Sequence, residues 1–473
     1  MNYILIGHSF ENEIQTVTQI FFPNEKFEKV ESITDLGITV VSEIKDGNCY
    51  ASIFVNSVCE TSEFSKIDGK FEPRYLVKKT MFTVLKIKTN QKTEWGMLTG
   101  IRPSKIMHEL WEKDFSDVDI VQYMSELYGV SEKKVNLCLQ VAKAEKKIIE
   151  NNDNDTISVY IGIPFCPSRC LYCSFTSFDI QKFDFLVDDY LSALIREMKY
   201  IKEYCANKKV STIYIGGGTP TSLNEKQLEI LLKNITECFG TNTLDEYTVE
   251  AGRADSLNEE KLRLLKAYGV TRISINPQTM KNESLKLIGR NHSVEQFIEC
   301  FKIARKVGHD NINIDLIVGL PNENAEDVFD TLTKAEELNA ENITVHTLAI
   351  KRASRLKGSI NEYNLTDMSA IEKMLDIVED FAKKRGLKPY YMYRQKNMVG
   401  NFENVGYCKP SKECIYNVQI MAEKQTIVAI GAGAVTKLVD VETNRIERIF
   451  NVKDVIQYIE RIDEMIQRKK DGC

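Results

Sequence analysis

Tyr160-Ile161-Gly162-Ile163-Pro164-Phe165-Cys166-Pro167-Ser168-Arg169-Cys170-Leu171-Tyr172-Cys173-Ser174-Phe175 decides how the rest of the sequence is read. An apolar run ends at Ile163-Pro164, and Cys166, Cys170 and Cys173 follow on one short loop. Three thiolates so spaced can each hold one iron of a cubane iron–sulfur cluster, leaving the fourth iron open for chemistry. The alternatives are a three-cysteine zinc site with a distant fourth ligand, or reduced cysteines in a turn. A strand leading straight into the loop favours the cluster.

Downstream, apolar β-branched runs recur at 212–215, 247–249, 272–275, 312–318 and 343–345. Segments of helical periodicity separate them, at 186–204, 225–239, 259–268, 294–307 and 325–338. With 157–163, six strands alternating with helices predict a parallel α/β sheet. The unusual residues sit at the C-terminal ends of these strands: the cysteine loop, Gly216-Gly217-Gly218-Thr219-Pro220, Glu250, Asn276-Pro277-Gln278, Asp315 and His346. Strand ends converge on one rim in a barrel, whereas an open sheet spreads them along a line. The expected fold is a partial (β/α)6 TIM-type barrel over 156–360.

The polar run Asn151–Asp155 marks a boundary. Before it, 1–150 reads as a small α+β domain, with a hairpin at Lys45-Asp46-Gly47-Asn48, a helix from Arg74, a helix opening at Pro103 and another capped by Ser116. After the barrel, 361–473 reads as an α+β extension. It carries the aromatic run Tyr390–Gln395, a strand entering a turn at Gly431–Ala434 and a final amphipathic helix over 452–466.

At 473 residues, 43% hydrophobic and 27% charged, the composition is that of a soluble globular chain. A net charge of −6 offers no nucleic-acid surface, so an anionic substrate depends on a local basic patch. No run is long enough to span a membrane. Met1–Phe10 lacks the features of a signal peptide, and the cysteine usage points to the reducing cytosol. Cys49, Cys59, Cys138, Cys205, Cys238 and Cys300 are expected as small core residues. Cys408 and Cys414 lie close together in sequence, but with five residues between them and no third partner they do not signal a second metal site.

The glycine run lets backbone approach a ligand closely. It is no nucleotide P-loop, because no Gly-Lys-Ser/Thr follows. Glu250, Gln278, Arg290 and Asp315 are polar groups in or beside apolar strands, where burial requires partners.

Cysteine spacing, glycine run and barrel together resemble the radical S-adenosylmethionine (SAM) superfamily. Tyr160 with Ile163–Cys166, Gly216–Pro220, Gly289-Arg290 with His292, and Asn313 with Asp315-Leu316 narrow the match to the oxygen-independent coproporphyrinogen III oxidase family. Gly96–Arg102, Pro389–Lys396 and Glu403–Pro410 resemble its coproporphyrinogen dehydrogenase (HemZ) branch. The resemblance implies a [4Fe–4S] cluster on Cys166, Cys170 and Cys173, and a SAM lined by Tyr160, Gly217 and Glu250, with Val435 near its adenine. It implies a second SAM beside Tyr172, Gly218, Thr219, Gln278, Arg290, Asp315 and Ala349. Tyr160, Gln278 and Arg290 would then lie nearest the reacting atoms.

The implied activity is oxidative decarboxylation of two propionates of coproporphyrinogen III to vinyl groups, giving protoporphyrinogen IX in the cytoplasm. An external reductant would supply the cluster. Lys351, Arg352, Arg355 and Arg394 are candidate partners for the substrate carboxylates. Where the best-known oxidases have a further cysteine this chain has Phe175, as in related heme chaperones. Heme delivery, and radical chemistry on heme itself, are therefore alternative readings.

Overall fold

The computed structural model describes residues 1–472, except 24, 101, 154, 352, 360–361, 396–401 and 444. They form two compact units, one of Met1–Ala142 with Arg394–Phe402, the other of Lys143–Tyr393 with Glu403–Cys473.

The first unit is built on strands β1 (Asn2–Ile6), β2 (Glu28–Lys29), β3 (Ile38–Lys45), β4 (Asn48–Val55) and β5 (Val58–Lys66), in the order β2-β1-β3-β4-β5. The predicted hairpin joins β3 to β4. Asp46 and Gly47 both take positive φ (49° and 73°), the primed-turn geometry that matches strand twist. Helix Pro73–Thr89 buries Leu76, Met81 and Leu85 against Val40 and Ile53 of the sheet. Helix Pro103–Trp111 opens on its proline, and Ser116 caps Asp117–Tyr123 in a reciprocal capping box with Asp119. Helix Glu11–Phe21 was not expected. Its Ile14, Val17 and Phe21 fall on one buried face, although Val17 and its threonine neighbours favour strand locally.

The second unit carries the predicted six parallel strands: β6 (Thr156–Ile163), β9 (Lys209–Gly217), β10 (Glu246–Glu250), β11 (Arg272–Ser274), β12 (Ile312–Val318) and β13 (Asn342–Thr347). Between β6 and β9 lies the short pair β7 (Phe165–Cys166) and β8 (Phe178–Asp179), which brackets the cysteine loop. The later strands β14 (Lys388–Arg394), β15 (Glu403–Cys408), β16 (Thr426–Ile430), β17 (Val435–Asp440) and β18 (Arg445–Phe450) extend the same sheet at both edges. The order is β14-β15-β13-β12-β11-β10-β9-β6-β16-β17-β18, with β16 parallel to β6 and β15 antiparallel to β13. The C-terminal extension is thus continuous with the partial barrel.

Period-2 alternation sorts the two faces. Val159, Ile161, Ile213, Ile215, Val249 and Ile273 are buried on one side. The other side is polar and internally bonded: Thr212 Oγ1 donates to Ser158 Oγ (2.8 Å), Asn313 Nδ2 to Ser274 Oγ (3.1 Å), and Thr344 Oγ1 to Asn313 Oδ1 (2.9 Å). This column of satisfied polar groups leads up to the strand ends where the candidate residues stand.

Of the scattered cysteines, Cys49, Cys138, Cys205 and Cys300 are buried as expected, and Cys238 is half-buried. Cys59 is exposed on β5, because that strand pairs on one side only. Cys408 and Cys414 are free thiols in an apolar cluster with Tyr214, Tyr390 and Tyr416. The final helix is two, Val455–Glu460 and Ile462–Gly472.

Candidate functional site

Burial along the strands locates the site. In β6, β10, β12 and β13 every residue is buried but one, and those exceptions are Tyr160, Glu250, Asp315 and His346. On β9 the residue that regains exposure at the C-terminal end is Gly217. A sheet buried elsewhere therefore opens along its strand ends, at the residues singled out from the sequence.

The cysteine loop is stitched to neighbouring connections. Leu171 N–H donates to the Ile288 carbonyl (2.9 Å), Ser168 Oγ to the Gly289 carbonyl (2.9 Å), and Leu356 N–H to the Leu171 carbonyl (3.0 Å). Arg355 donates to the Arg169 carbonyl. On the glycine side, Gly218 N–H donates to the Ile163 carbonyl (2.7 Å), Thr219 N–H to the Phe165 carbonyl (2.7 Å), and Thr219 Oγ1 to Cys166 Sγ (3.5 Å).

A Cβ on Gly218 would lie 2.5 Å from the Phe165 oxygen and 2.9 Å from Cys166 Sγ. Only glycine fits this approach. Gly218→Ala is expected to push the loop outward, lowering the iron bound per chain after anaerobic reconstitution and costing about 1–3 kcal/mol of stability. Full iron loading in that variant would contradict the tight cradle.

The loop fits a cluster. Among the described residues no group of three or more His, Cys, Asp or Glu is placed to hold a single metal ion. A cubane puts each thiolate on a different iron. Burial pushes the Cys166 thiol up to about 11, against the Thr219 hydrogen bond, with Cys173 and Cys170 adding to the rise. Burial raises Cys173 as well. Three such thiolates crowd one another unless a cationic group neutralises them, as iron does.

Next to the loop, Tyr160, Tyr214 and Tyr416 stack with centroids 4.4 to 6.2 Å apart. Tyr214 OH donates to Glu250 Oε1 (2.5 Å). A Cβ on Gly217 (φ 109°) would come within 3.4 Å of Tyr160 OH, and one on Gly216 within 3.0 Å of the Glu250 carboxyl carbon. The glycines thus let Glu250 and Tyr160 share one recess.

Burial raises the Glu250 carboxyl to about 7; Asp315 adds to the rise, and the Tyr214 hydrogen bond and Arg272 oppose it. A folded value above the unfolded one means the native state holds the proton more tightly. The stability from Glu250 is then fully present below about pH 4.5 and is lost as pH rises through about 7. Glu250→Gln is expected to flatten the ligand-free stability profile between pH 5 and 8, by on the order of 3 kcal/mol across the window. Urea titrations at several pH values measure this; an unchanged slope would contradict it.

A second group lies toward β11–β13. Arg290, 8% exposed, donates through Nη1 to the carbonyls of Gly252 (3.1 Å) and Asn276 (2.9 Å), and through Nη2 to Tyr172 OH (3.3 Å). Its Nε is buried without a protein partner, a donor left for a ligand. Asp315 accepts from Asn313 Nδ2 and Asn276 Nδ2, each at 2.7 Å, and its Oδ2 lies 3.8 Å from His346 Nε2. Burial would raise the Asp315 carboxyl, but His346, Asn313 and Arg272 outweigh it and hold it below its ordinary value. His346 Nδ1 lies 3.2 Å from Tyr393 OH. Gln278 takes φ 71°, with its N–H on the Asp315 carbonyl (2.9 Å) and its carbonyl accepting from Ile317 N–H (2.8 Å). That left-handed kink turns the chain back beside β12.

Ala349 is half-buried two residues beyond β13. Val435 opens β17 after the turn Gly431–Ala434, where a Cβ on Gly431 would sit 2.6 Å from the Gly162 carbonyl oxygen. Of the candidate carboxylate partners, Lys351 is half-buried and Arg355 is engaged on the cysteine loop. Arg394 is 2% exposed in the first unit, donating to the Leu98 carbonyl (2.6 Å) and stacked 4.6 Å over Trp95. It is therefore engaged with Leu98 and Trp95 rather than offering a surface charge. Arg352 lies outside the described residues, as do Ile101 and Lys396 of the stretches Gly96–Arg102 and Pro389–Lys396. Sequence reading passed over Tyr214, Tyr416 and Arg253; only the position of Arg253 just past a strand end signals it.

The Radical SAM superfamily model matches residues 160–335. The chain is 38% identical over 446 residues to the oxygen-independent coproporphyrinogen-III oxidase-like protein HemZ of Bacillus subtilis, covering 93% of this chain and 88% of that one. It is 33% identical over 280 residues to the heme chaperone HemW of the same organism, covering 59% and 70%. Among solved structures, coproporphyrinogen III oxidase HemN of Escherichia coli superposes with a TM-score of 0.53 at 24% identity, covering 69% and 73%, a likeness of fold.

Proposed function

The chain belongs to the oxygen-independent coproporphyrinogen-III oxidase-like family of the radical SAM superfamily, and from that premise we propose that it is a coproporphyrinogen dehydrogenase. The family implies a [4Fe–4S] cluster and SAM, which together supply a 5′-deoxyadenosyl radical when bound. The overall reaction would convert two propionates of coproporphyrinogen III to vinyl groups. Each would lose a β-hydrogen to the radical, CO₂, and one electron to an external acceptor, yielding protoporphyrinogen IX.

In this reading Cys166, Cys170 and Cys173 hold the cluster, and the recess of Tyr160, Gly217 and Glu250 binds the SAM on it, with Val435 toward the adenine. A protonated Glu250 carboxyl can donate as well as accept there. Tyr172, Gly218, Thr219, Gln278, Arg290, Asp315 and Ala349 receive a second SAM, and the unpartnered Arg290 Nε is a donor for its carboxylate. Tyr160, Gln278 and Arg290 stand nearest the reacting atoms. A cytoplasmic reductant would feed the cluster; among the described residues no helix is long and apolar enough to cross a membrane.

The observation that carries the reading is the likeness to the oxidase-like relative across 93% of the chain, which takes in the N-terminal unit. One observation favours heme handling instead. Phe175, at the position of the further cysteine, is 69% exposed beside the cluster loop, and the Bacillus subtilis chaperone is similar over 59% of this chain.

Anaerobically reconstituted protein with SAM, a reductant and coproporphyrinogen III is expected to form protoporphyrinogen, read by fluorescence after oxidation. SAM cleavage without vinyl product, together with tight heme binding, would replace the dehydrogenase reading with the chaperone one.

A further inference from the structure

Between β10 and helix Glu259–Ala267 the chain folds an ion pair, its arginine buried, against the cysteine loop. Arg253 is 3% exposed. Its Nε donates to Asp255 Oδ1 (2.9 Å) and its Nη2 to Asp255 Oδ2 (2.6 Å), a bidentate fork. Its Nη1 donates to the Ser168 carbonyl (3.0 Å) and to Ser168 Oγ (2.8 Å), and lies 3.8 Å from Cys170 Sγ. Behind the fork, buried His292 places Nδ1 3.6 Å from Asp255 Oδ1. Burial would raise the Asp255 carboxyl, but His292 and Arg253 hold it well below the usual carboxylate range.

A buried guanidinium is costly to keep, and a salt bridge alone does not account for its direction. Asp255 fixes two of its nitrogens, and the fork thereby aims the third at the backbone and sulfur of the cluster loop. A hydrogen bond from a cation to a cluster thiolate stabilises the more anionic, reduced cluster.

We propose that Arg253 is a positioning residue of the cluster site: clamped by Asp255 and backed by His292, it orders Ser168, donates to the Cys170 thiolate and raises the cluster's reduction potential. This rests on the three cysteines being the cluster ligands. That reading fails separately, if the unaltered chain binds no iron after reconstitution.

The test is a redox titration of the full chain, reconstituted anaerobically, with the reduced cluster followed by electron paramagnetic resonance and iron and sulfide counted per chain. Arg253→Met is expected to hold the same iron as the unaltered chain and to reduce at a more negative potential. Arg253→Lys keeps the charge without the fork and is expected to fall between them. Asp255→Asn keeps the guanidinium but loosens its aim, and is expected to shift the potential the same way by less. An unchanged potential in loaded Arg253→Met overturns the proposal. If that variant takes up no iron, Arg253→Lys and Asp255→Asn decide: a negative shift sustains the proposal and an unchanged potential overturns it. Failure of all three to hold iron also overturns it, because Arg253 would then act only on the folding of the loop.

Discussion

Cys170→Ala is expected to abolish reductive cleavage of SAM, lowering 5′-deoxyadenosine formation by about a thousandfold or more, equivalent to at least ~4 kcal/mol of barrier. Cys170 is 8% exposed, in a loop held by Ile288, Gly289, Arg355 and Thr219 contacts that do not involve its sulfur. Removing the thiol should therefore leave the fold intact while taking one iron's only protein ligand. The measurement is anaerobic: iron and sulfide per chain, circular dichroism for folding, and chromatography for 5′-deoxyadenosine. Retained cleavage would show that this cysteine holds no iron. Cleavage lost with iron fully retained would place its role elsewhere.

The same experiment separates the cluster from the substrate question. All three readings, dehydrogenase, heme chaperone with SAM cleavage and radical chemistry on heme, need the cluster for that step. They part only at the molecule on which that chemistry acts, or which is bound in its place. His346 is the residue whose standing changed most. From sequence it is as readily a core histidine as a proton donor. In the structure it is the one position of β13 that is not fully buried, between Tyr393 OH and Asp315.

Most of the barrel was legible because each strand–helix pair is a local signal. The run 312–318 and the helix spans 225–239, 294–307 and 325–338 coincide with elements of the structure. Local signals also located the rim, since a polar residue inside an apolar run is visible in one dimension. What escaped was non-local. Nothing in Glu403–Cys408 says that it pairs antiparallel with β13, nor in Thr426–Ile430 that it lies beside β6. Sheet edges are chosen by tertiary packing, which propensity does not encode. Tyr416 likewise gives no sign of stacking on Tyr214 some two hundred positions earlier. The helix over 452–466 is broken at Arg461 by no proline or glycine; the two pieces instead direct Tyr458 and Lys469 onto one buried carboxylate.

That carboxylate is Glu197, and Lys469→Met is expected to cost about 3–5 kcal/mol of stability, the toll of leaving a buried charge without its partner. Glu197 is 0% exposed and Lys469 1%. Besides the lysine ammonium, Glu197 accepts from Tyr458 OH (2.5 Å), Asn451 Nδ2 (2.8 Å) and Gly431 N–H (2.9 Å). Those three neutral donors satisfy its lone pairs but cannot balance its charge. Glu197→Gln with Lys469→Met removes both charges and should recover most of the loss, whereas Glu197→Gln alone strands the ammonium. Urea denaturation of the four proteins measures the coupling; a loss under about 1 kcal/mol for Lys469→Met would mean water reaches the site. If the proposed SAM site is correct, the network also bears on SAM. Gly431, bound by Glu197, begins the turn that leads to Val435, and Tyr190 joins that turn to β6 by donating to the Gly162 carbonyl (2.6 Å) and accepting from Ala432 N–H (3.1 Å). Loosening the C-terminal helix should therefore weaken SAM binding more than iron loading, because the cysteine loop is held by other contacts.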